Sequence, residues 1–150
     1  WTTAPVNNDT FDILDWGTHI VGTVTIETEL LVNFYYIDLD PVAYVLVQKF
    51  AVASFFNCNF ADGSVGALYL QLYATLGVYQ SVIQSGFTGA AITTDAHASF
   101  YLQNVIIVKT GATGGTGVSM TGFTGVIFGK GNIFDNFTTG ARATSGTTAP

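Results

Sequence analysis

The chain has 150 residues and a formal net charge of -6, with only Lys49, Lys109, Lys130 and Arg142 as cations, so it lacks the basic stripe that a nucleic-acid backbone or an anionic membrane surface requires. Apolar residues make up 49% and charged residues 9%, against roughly 25% charged in an average globular chain. These values imply one domain with a real core and some apolar surface to be covered by another chain. A single cysteine excludes an internal disulfide framework.

In chain order, residues 1–19 read as an N-terminal arm or cap. Pro5, Asn7, Asn8 and Asp9 are turn-rich, and Phe11, Ile13, Leu14 and Trp16 form a short apolar patch suited to covering a first core layer. A chain that begins at Trp1 rather than Met reads as trimmed, processed or an excerpt. Residues 20–34 alternate: Val24, Ile26, Leu30, Val32 and Phe34 face in, while Thr23, Thr25, Glu27 and Glu29 face out. Tyr35 to Pro41 is strand running into a turn, and 42–50 is a further β-prone run. The apolar run from Val42 to Phe56 is interrupted by Gln48 and Lys49 and is too short to span a bilayer.

Residues 54–63 carry the organising phrase. Ser54, Phe56, Cys58 and Phe60 fall on one side of a strand and Phe55, Asn57 and Asn59 on the other, with Ala61-Asp62-Gly63 as turn chemistry. The phrase returns with Ile83 on Phe56 and Phe87 on Phe60, and again with Ile133 and Phe137. Leu30, Val32 and Phe34 fit beneath it, and Ile106, Val108 and Thr110 form its weakest copy. The anchors Phe34, Phe60, Phe87, Thr110 and Phe137 recur at intervals of about 25 residues, inside the range of roughly 20–50 that marks repeat architectures. Each repeat holds several short strands, and no window shows a convincing helical periodicity. The expected fold is all-β: a single-stranded parallel β-helix, or β-solenoid, of about 4–5 coils over residues 20–140, with a C-terminal arm at 141–150. The alternative is an antiparallel β-sandwich or jelly roll. Cys58, on an inward column, reads as a small buried hydrophobe.

This pattern resembles the right-handed parallel β-helix of pectin-lyase-like proteins, which carry similar apolar-x-Asn-Cys-x-Phe turns. The resemblance covers roughly residues 20–140. Within that fold the chain looks most like a short piece of a phage tailspike, fibre or other virion surface protein, or of an extracellular adhesin. The resemblance implies a virion-surface or extracellular location, and the right-handed coil is part of what it implies.

The outward positions are unusually apolar. Phe55, Tyr69, Tyr73, Tyr79, Tyr101 and Phe134 are expected to stack from coil to coil into a patch that packs against other copies, three around a closed axis being the expected homotrimer. Thr2-Thr3-Ala4-Pro5 recurs as Thr147-Thr148-Ala149-Pro150, which reads equally as extended arms, as linkers between modules or as chance. The leading function is therefore a non-enzymatic structural protein: a spike, fibre or capsid decoration, or an extracellular filament, whose partners are its own copies and other subunits. The alternative is a polysaccharide-binding or -degrading module that takes surface glycans, with tyrosines as sugar platforms.

For that alternative the carboxylate pairs are Glu27/Glu29 and Asp38/Asp40, each i and i+2 on a strand and so about 6.5–7 Å apart, within the roughly 5–9.5 Å that glycoside hydrolysis needs. A solvated strand face and a turn are the plain readings of the two pairs. Asp95-Ala96-His97 reads as a polar loop, since His19 is the only other histidine and a metal site needs three or four ligands. Asp38, Asp40 and Asp62 lack calcium-loop spacing, and Gly111–Gly117 lacks the features of a phosphate loop. No catalytic residue, metal or cofactor is assigned. Asn8 and Asn136 head formal glycosylation sequons.

Overall fold

The computed structural model describes residues 10–14, 19–61, 66–86, 90–121 and 125–143. Among them the chain forms sixteen strands: β1 (Thr10–Leu14), β2 (His19–Ile26), β3 (Leu31–Tyr35), β4 (Asp38–Val47), β5 (Val52–Phe56), β6 (Asn59–Phe60), β7 (Leu68–Leu70), β8 (Thr75–Tyr79), β9 (Val82–Ser85), β10 (Ala90–Thr94), β11 (Ser99–Gln103), β12 (Ile106–Lys109), β13 (Thr116–Met120), β14 (Gly125–Phe128), β15 (Ile133–Asp135) and β16 (Thr139–Ala143). Every pairing is parallel. The chain is thus a parallel β-solenoid of about five turns, and an antiparallel sandwich is not needed to describe it. One sheet runs β1-β3-β5-β8-β11-β14. The other is divided lengthwise into two faces. One comprises β15, β12, β9, β6 and the first half of β4, and the other the second half of β4 with β7, β10, β13 and β16; β2 lies against the whole of β4. Residues Thr10–Leu14, read from sequence as part of a cap, already form a rung strand against β3.

The three corners of the solenoid behave differently. Equivalent inward residues across the first corner are five apart in four successive rungs: Phe34 and Leu39, Phe55 and Phe60, Val78 and Ile83, Leu102 and Ile107. At this corner Tyr36, Asn57, Gln80 and Asn104 take φ of 59°, 53°, 50° and 54°. Each donates its N–H to the next rung, as Asn57 does to the Tyr79 carbonyl at 3.0 Å. Another corner is a four-residue turn closed by i+3 hydrogen bonds, Ala51 to Gln48 and Ala74 to Gln71 among them, with Glu29, Phe50, Tyr73 and His97 at φ near 60°. In these four rungs the variation in length falls on the remaining corner, although the first corner is longer in the two end rungs. The chain there lengthens steadily from the Leu39–Val45 passage through Phe60–Leu68 and Ile83–Ile92 to Ile107–Val118. Insertions at one corner are the common way a repeat array elaborates itself, because only there does added chain leave the ladder undisturbed.

The interior is a set of columns. Leu39, Phe60, Ile83 and Ile107 form one and Val45, Leu68, Ile92 and Val118 another, all wholly or almost wholly buried. Phe34 stacks on Phe55 at 4.6 Å, and Phe55 meets Phe60 edge-on at 4.9 Å. Ala51, Ala74 and Ala98 line the tight turn, where a larger side chain has no room inside.

Several expected orientations are reversed. Val32, Phe34, Cys58, Phe60 and Ile83 lie inside, but Phe55 is the core residue at 0% exposure and Phe56 points outward. The cause is Asn57. A residue with positive φ interrupts the alternation, so the residues on either side of the corner no longer share parity. Ile106, 41% exposed, and Ile133, 53% exposed, also point outward, Val108 is half-exposed, and their neighbours Val105 and Ile107 are the buried ones. Here the cause is register. Ile83 pairs with Ile107 and not with Ile106, which pairs with Val82 and Ile133, and a slip by one residue turns every side chain over. Phe34 and Phe60 belong to different faces. Leu30 and Phe137 are half-buried against the core, and Phe87 lies outside the described residues.

Candidate assembly surface

Outward residues at equivalent positions stack just as the inward ones do, because parallel in-register strands repeat every side chain about 4.8 Å along the axis. On the outer face of the first sheet Tyr35 stacks on Phe56 (4.8 Å, 9°), Phe56 on Tyr79 (4.7 Å, 6°), and Tyr101 leans onto Tyr79 (5.4 Å, 38°). Gly77 makes this arrangement possible: a Cβ there would sit 2.7 Å from Cε2 of Tyr79, so the ring lies where a side chain would otherwise stand. The Tyr101 hydroxyl donates to Oε1 of Gln103 at 2.8 Å, which holds the polar end of that ring along the strand.

A second ladder stands on the four-residue turn. Phe50 stacks on Tyr73 (5.3 Å, 7°) and Tyr73 on His97 (5.2 Å, 13°), with the Lys49 ammonium 4.9 Å from the Phe50 ring centre. Phe50 and Tyr73 are nearly half exposed. Their left-handed backbone costs each about 1–2 kcal/mol, which stacking at about 0.5–1.5 kcal/mol per pair offsets in part. Beside them the Gln48 carboxamide oxygen accepts the Thr28 N–H at 3.1 Å and that of Gln71 accepts the Lys49 N–H at 3.3 Å, so each rung caps the turn of the one before. Both ladders use their ring faces on one another. What they offer outward is ring edges, a hydrophobic strip suited to another protein surface rather than faces on which a sugar could stack.

Of the residues assigned to the outer face, Tyr73 stands exposed and Tyr79 and Tyr101 are half-buried members of the first ladder. Tyr69 is half-buried, edge-on to Tyr44 at 5.3 Å, and its hydroxyl donates to Oδ1 of Asp95 at 2.8 Å. Burial, reinforced by that carboxylate, pushes the Tyr69 phenol up to about 12. Phe55 is interior, as above, and Phe134 ends the inward column below Ile107, half-buried against the core. Tyr35, Phe50, Phe56 and His97 belong to the ladders and were missed. Their signal was aromatic recurrence at the true rung lengths: Tyr35 and Phe56, Phe50 and Tyr73, and Tyr73 and His97 each stand one rung apart.

The polar candidates are scattered. Glu27 and Glu29 do not share a strand face; they are exposed residues of the first tight turn, Glu29 at φ 66°. Asp38 and Asp40 lie on β4, with Asp40 Oδ2 3.8 Å from Nε2 of His19 across the pair of strands. Asp62, Asn8 and both Thr-Thr-Ala-Pro segments lie outside the described residues. The Asn136 amide donates to the carbonyls of Lys109 and Gly111, and its Oδ1 accepts from Thr113, so this side chain ties the variable corner together. Burial raises the Cys58 thiol pKa, and Sγ rests against the Phe34 and Phe56 carbonyls. This is the surrounding of an inert thiol. Among the described residues no group of three or more His, Cys, Asp or Glu side chains is placed to hold a metal ion. No protein-family model matches the chain, and comparison with curated proteins and with solved structures gives no match.

Proposed function

We propose that this protein is a non-enzymatic structural unit that assembles with further copies of itself, as a surface component of a virion (spike, fibre or capsid decoration) or of an extracellular filament. The observation that carries the reading is the pair of outward aromatic ladders on a rigid β-solenoid of low charge. A stacked strip of ring edges is a costly surface to leave in water, and it is straight, periodic and pre-ordered, which lowers the entropy lost on association. The virion or extracellular setting rests on the β-helix resemblance and on a composition rich in glycine, threonine and aromatic residues. The glycan-binding alternative draws no support from the ladders, whose ring faces are already occupied.

The test is the mass of the full chain in solution by light scattering, alone and with Phe50→Ser/Tyr73→Ser or Phe56→Ser/Tyr79→Ser. An oligomer that either double substitution weakens supports the reading. A monomer of unaltered mass at micromolar concentration and above overturns it, and would direct attention to glycan screening.

A further inference from the structure

We infer that two copies of this protein pair along the tight-turn ridge, antiparallel and about a two-fold axis, so that Glu29 of each copy meets His97 of the other with Phe50 and Tyr73 between them. The inference deepens the self-assembly reading above and rests on it.

The ridge is a single column. The segments Glu27–Leu30, Gln48–Ala51, Gln71–Ala74 and Asp95–Ala98 are successive copies of one turn, each closed by the N–H of its last residue donating to the carbonyl of its first. The third residues, Glu29, Phe50, Tyr73 and His97, take φ of 66°, 63°, 61° and 59°. A shared backbone state at a shared position sets these four side chains one above another, and the ring distances of 5.3 Å and 5.2 Å show it directly for the last three. All four are exposed, over three rung spacings or about 14 Å.

The order of groups along this column is self-complementary. It reads carboxylate, ring, ring, imidazole. Reversed against itself about an axis midway between Phe50 and Tyr73, it brings each carboxylate level with an imidazole and each Phe50 level with a Tyr73. Glu29 and His97 stand equally far from that axis, so both polar pairs form at once. A carboxylate accepts a hydrogen bond from an imidazole N–H whether or not the ring is charged. Parallel pairing would instead set Glu29 on Glu29, and moving the axis by half a rung would separate both pairs. Charge therefore selects one orientation and one register. The arrangement also has the anatomy of an interface: apolar ring edges at the centre, polar groups at the rim.

The other charged groups of these turns are compatible with it. The Lys49 ammonium lies over the Phe50 ring of its own chain, 4.9 Å from its centre. The one like pair created, Glu27 level with Asp95 of the other copy, lies two residues back from the crest, and Asp95 Oδ1 already accepts the Tyr69 hydroxyl. Such a contact is isologous and joins copies two by two. A closed ring of three cannot be made through this ridge.

The experiment is sedimentation equilibrium of the full chain near pH 7. Glu29→Arg removes the carboxylate from both pairs, and His97→Glu sets carboxylate against carboxylate in both. Each alone should weaken association about tenfold. An equimolar mixture of the two should recover the parent's affinity, because the mixed pair places opposite groups together at both ends; Glu29→Arg/His97→Glu in one chain should recover it too. The turn already holds a glutamate at this left-handed position, and misfolded chains could not rescue one another. Single variants that associate as tightly as the parent, a mixture that fails to recover, or a trimer of fixed mass overturns the antiparallel pairing and leaves self-assembly standing. A monomer throughout overturns both.

Discussion

Phe55 and Phe56 are adjacent and chemically identical, yet one fills the centre of the solenoid and the other its outer face. Phe55 is fully buried between Phe34 and Phe60, so Phe55→Ala should destabilise the fold by about 3–5 kcal/mol. Phe56 contributes mainly its two ring contacts, to Tyr35 and Tyr79, worth about 0.5–1.5 kcal/mol each, and Phe56→Ala should cost correspondingly less. Urea midpoints of the two variants decide the matter; equal losses, or a larger one at Phe56, would refute the assignment of faces. Sequence periodicity reads the pair the other way round. Strict alternation is a property of an uninterrupted strand, and the single left-handed residue Asn57 resets the count without leaving a glycine to advertise it.

At the level of elements, rungs are joined by side chains as well as by backbone. The Tyr69 hydroxyl reaches from β7 to Asp95, which opens the turn after β10. The folded state favours the neutral phenol, since burial and the nearby carboxylate both oppose its ionisation and raise it from the usual 10 to about 12. By linkage this contribution is fully present below about pH 10 and is lost as pH rises through about 12. Tyr69→Phe should therefore lower the melting temperature at neutral pH and flatten its decline across that alkaline window. A variant whose melting falls with pH as steeply as the parent's would remove Tyr69 as the source. The hydrogen bond joins neighbouring rungs, but the sequence shows only a tyrosine and a loop aspartate; their meeting depends on how long the variable corner is in that rung.

For the molecule as a whole, the solenoid makes stability a matter of position along one axis. Each rung touches only its neighbours, so an identical side chain matters more in the middle than at an end. Phe60 and Phe134 occupy the same inward column, the first fully buried and the second half-buried at the last rung. Phe60→Ala should cost about 3–5 kcal/mol and Phe134→Ala distinctly less. Denaturant titration of the isolated subunit, under conditions that suppress association, would sink the one-dimensional description if the two losses matched.

That the chain is a parallel repeat of short strands was legible from its residues: alternating apolar positions, recurring aromatic anchors and a scarcity of charge are local properties, written residue by residue. Register, the facing of each aromatic residue and the union of Phe50, Tyr73 and His97 into one ladder emerged only on folding. Across the four middle rungs two corners keep constant length and one does not, so the repeat lengthens from the Leu31–Val52 step to the Ser99–Gly125 step and no single period describes it. In the middle rungs the left-handed residues of the first corner are tyrosine, asparagine and glutamine, and those of the tight turn glutamate, phenylalanine, tyrosine and histidine, instead of glycine. Those backbone states are imposed by the ladder hydrogen bonds of neighbouring rungs, a cooperative constraint that no short window of sequence contains.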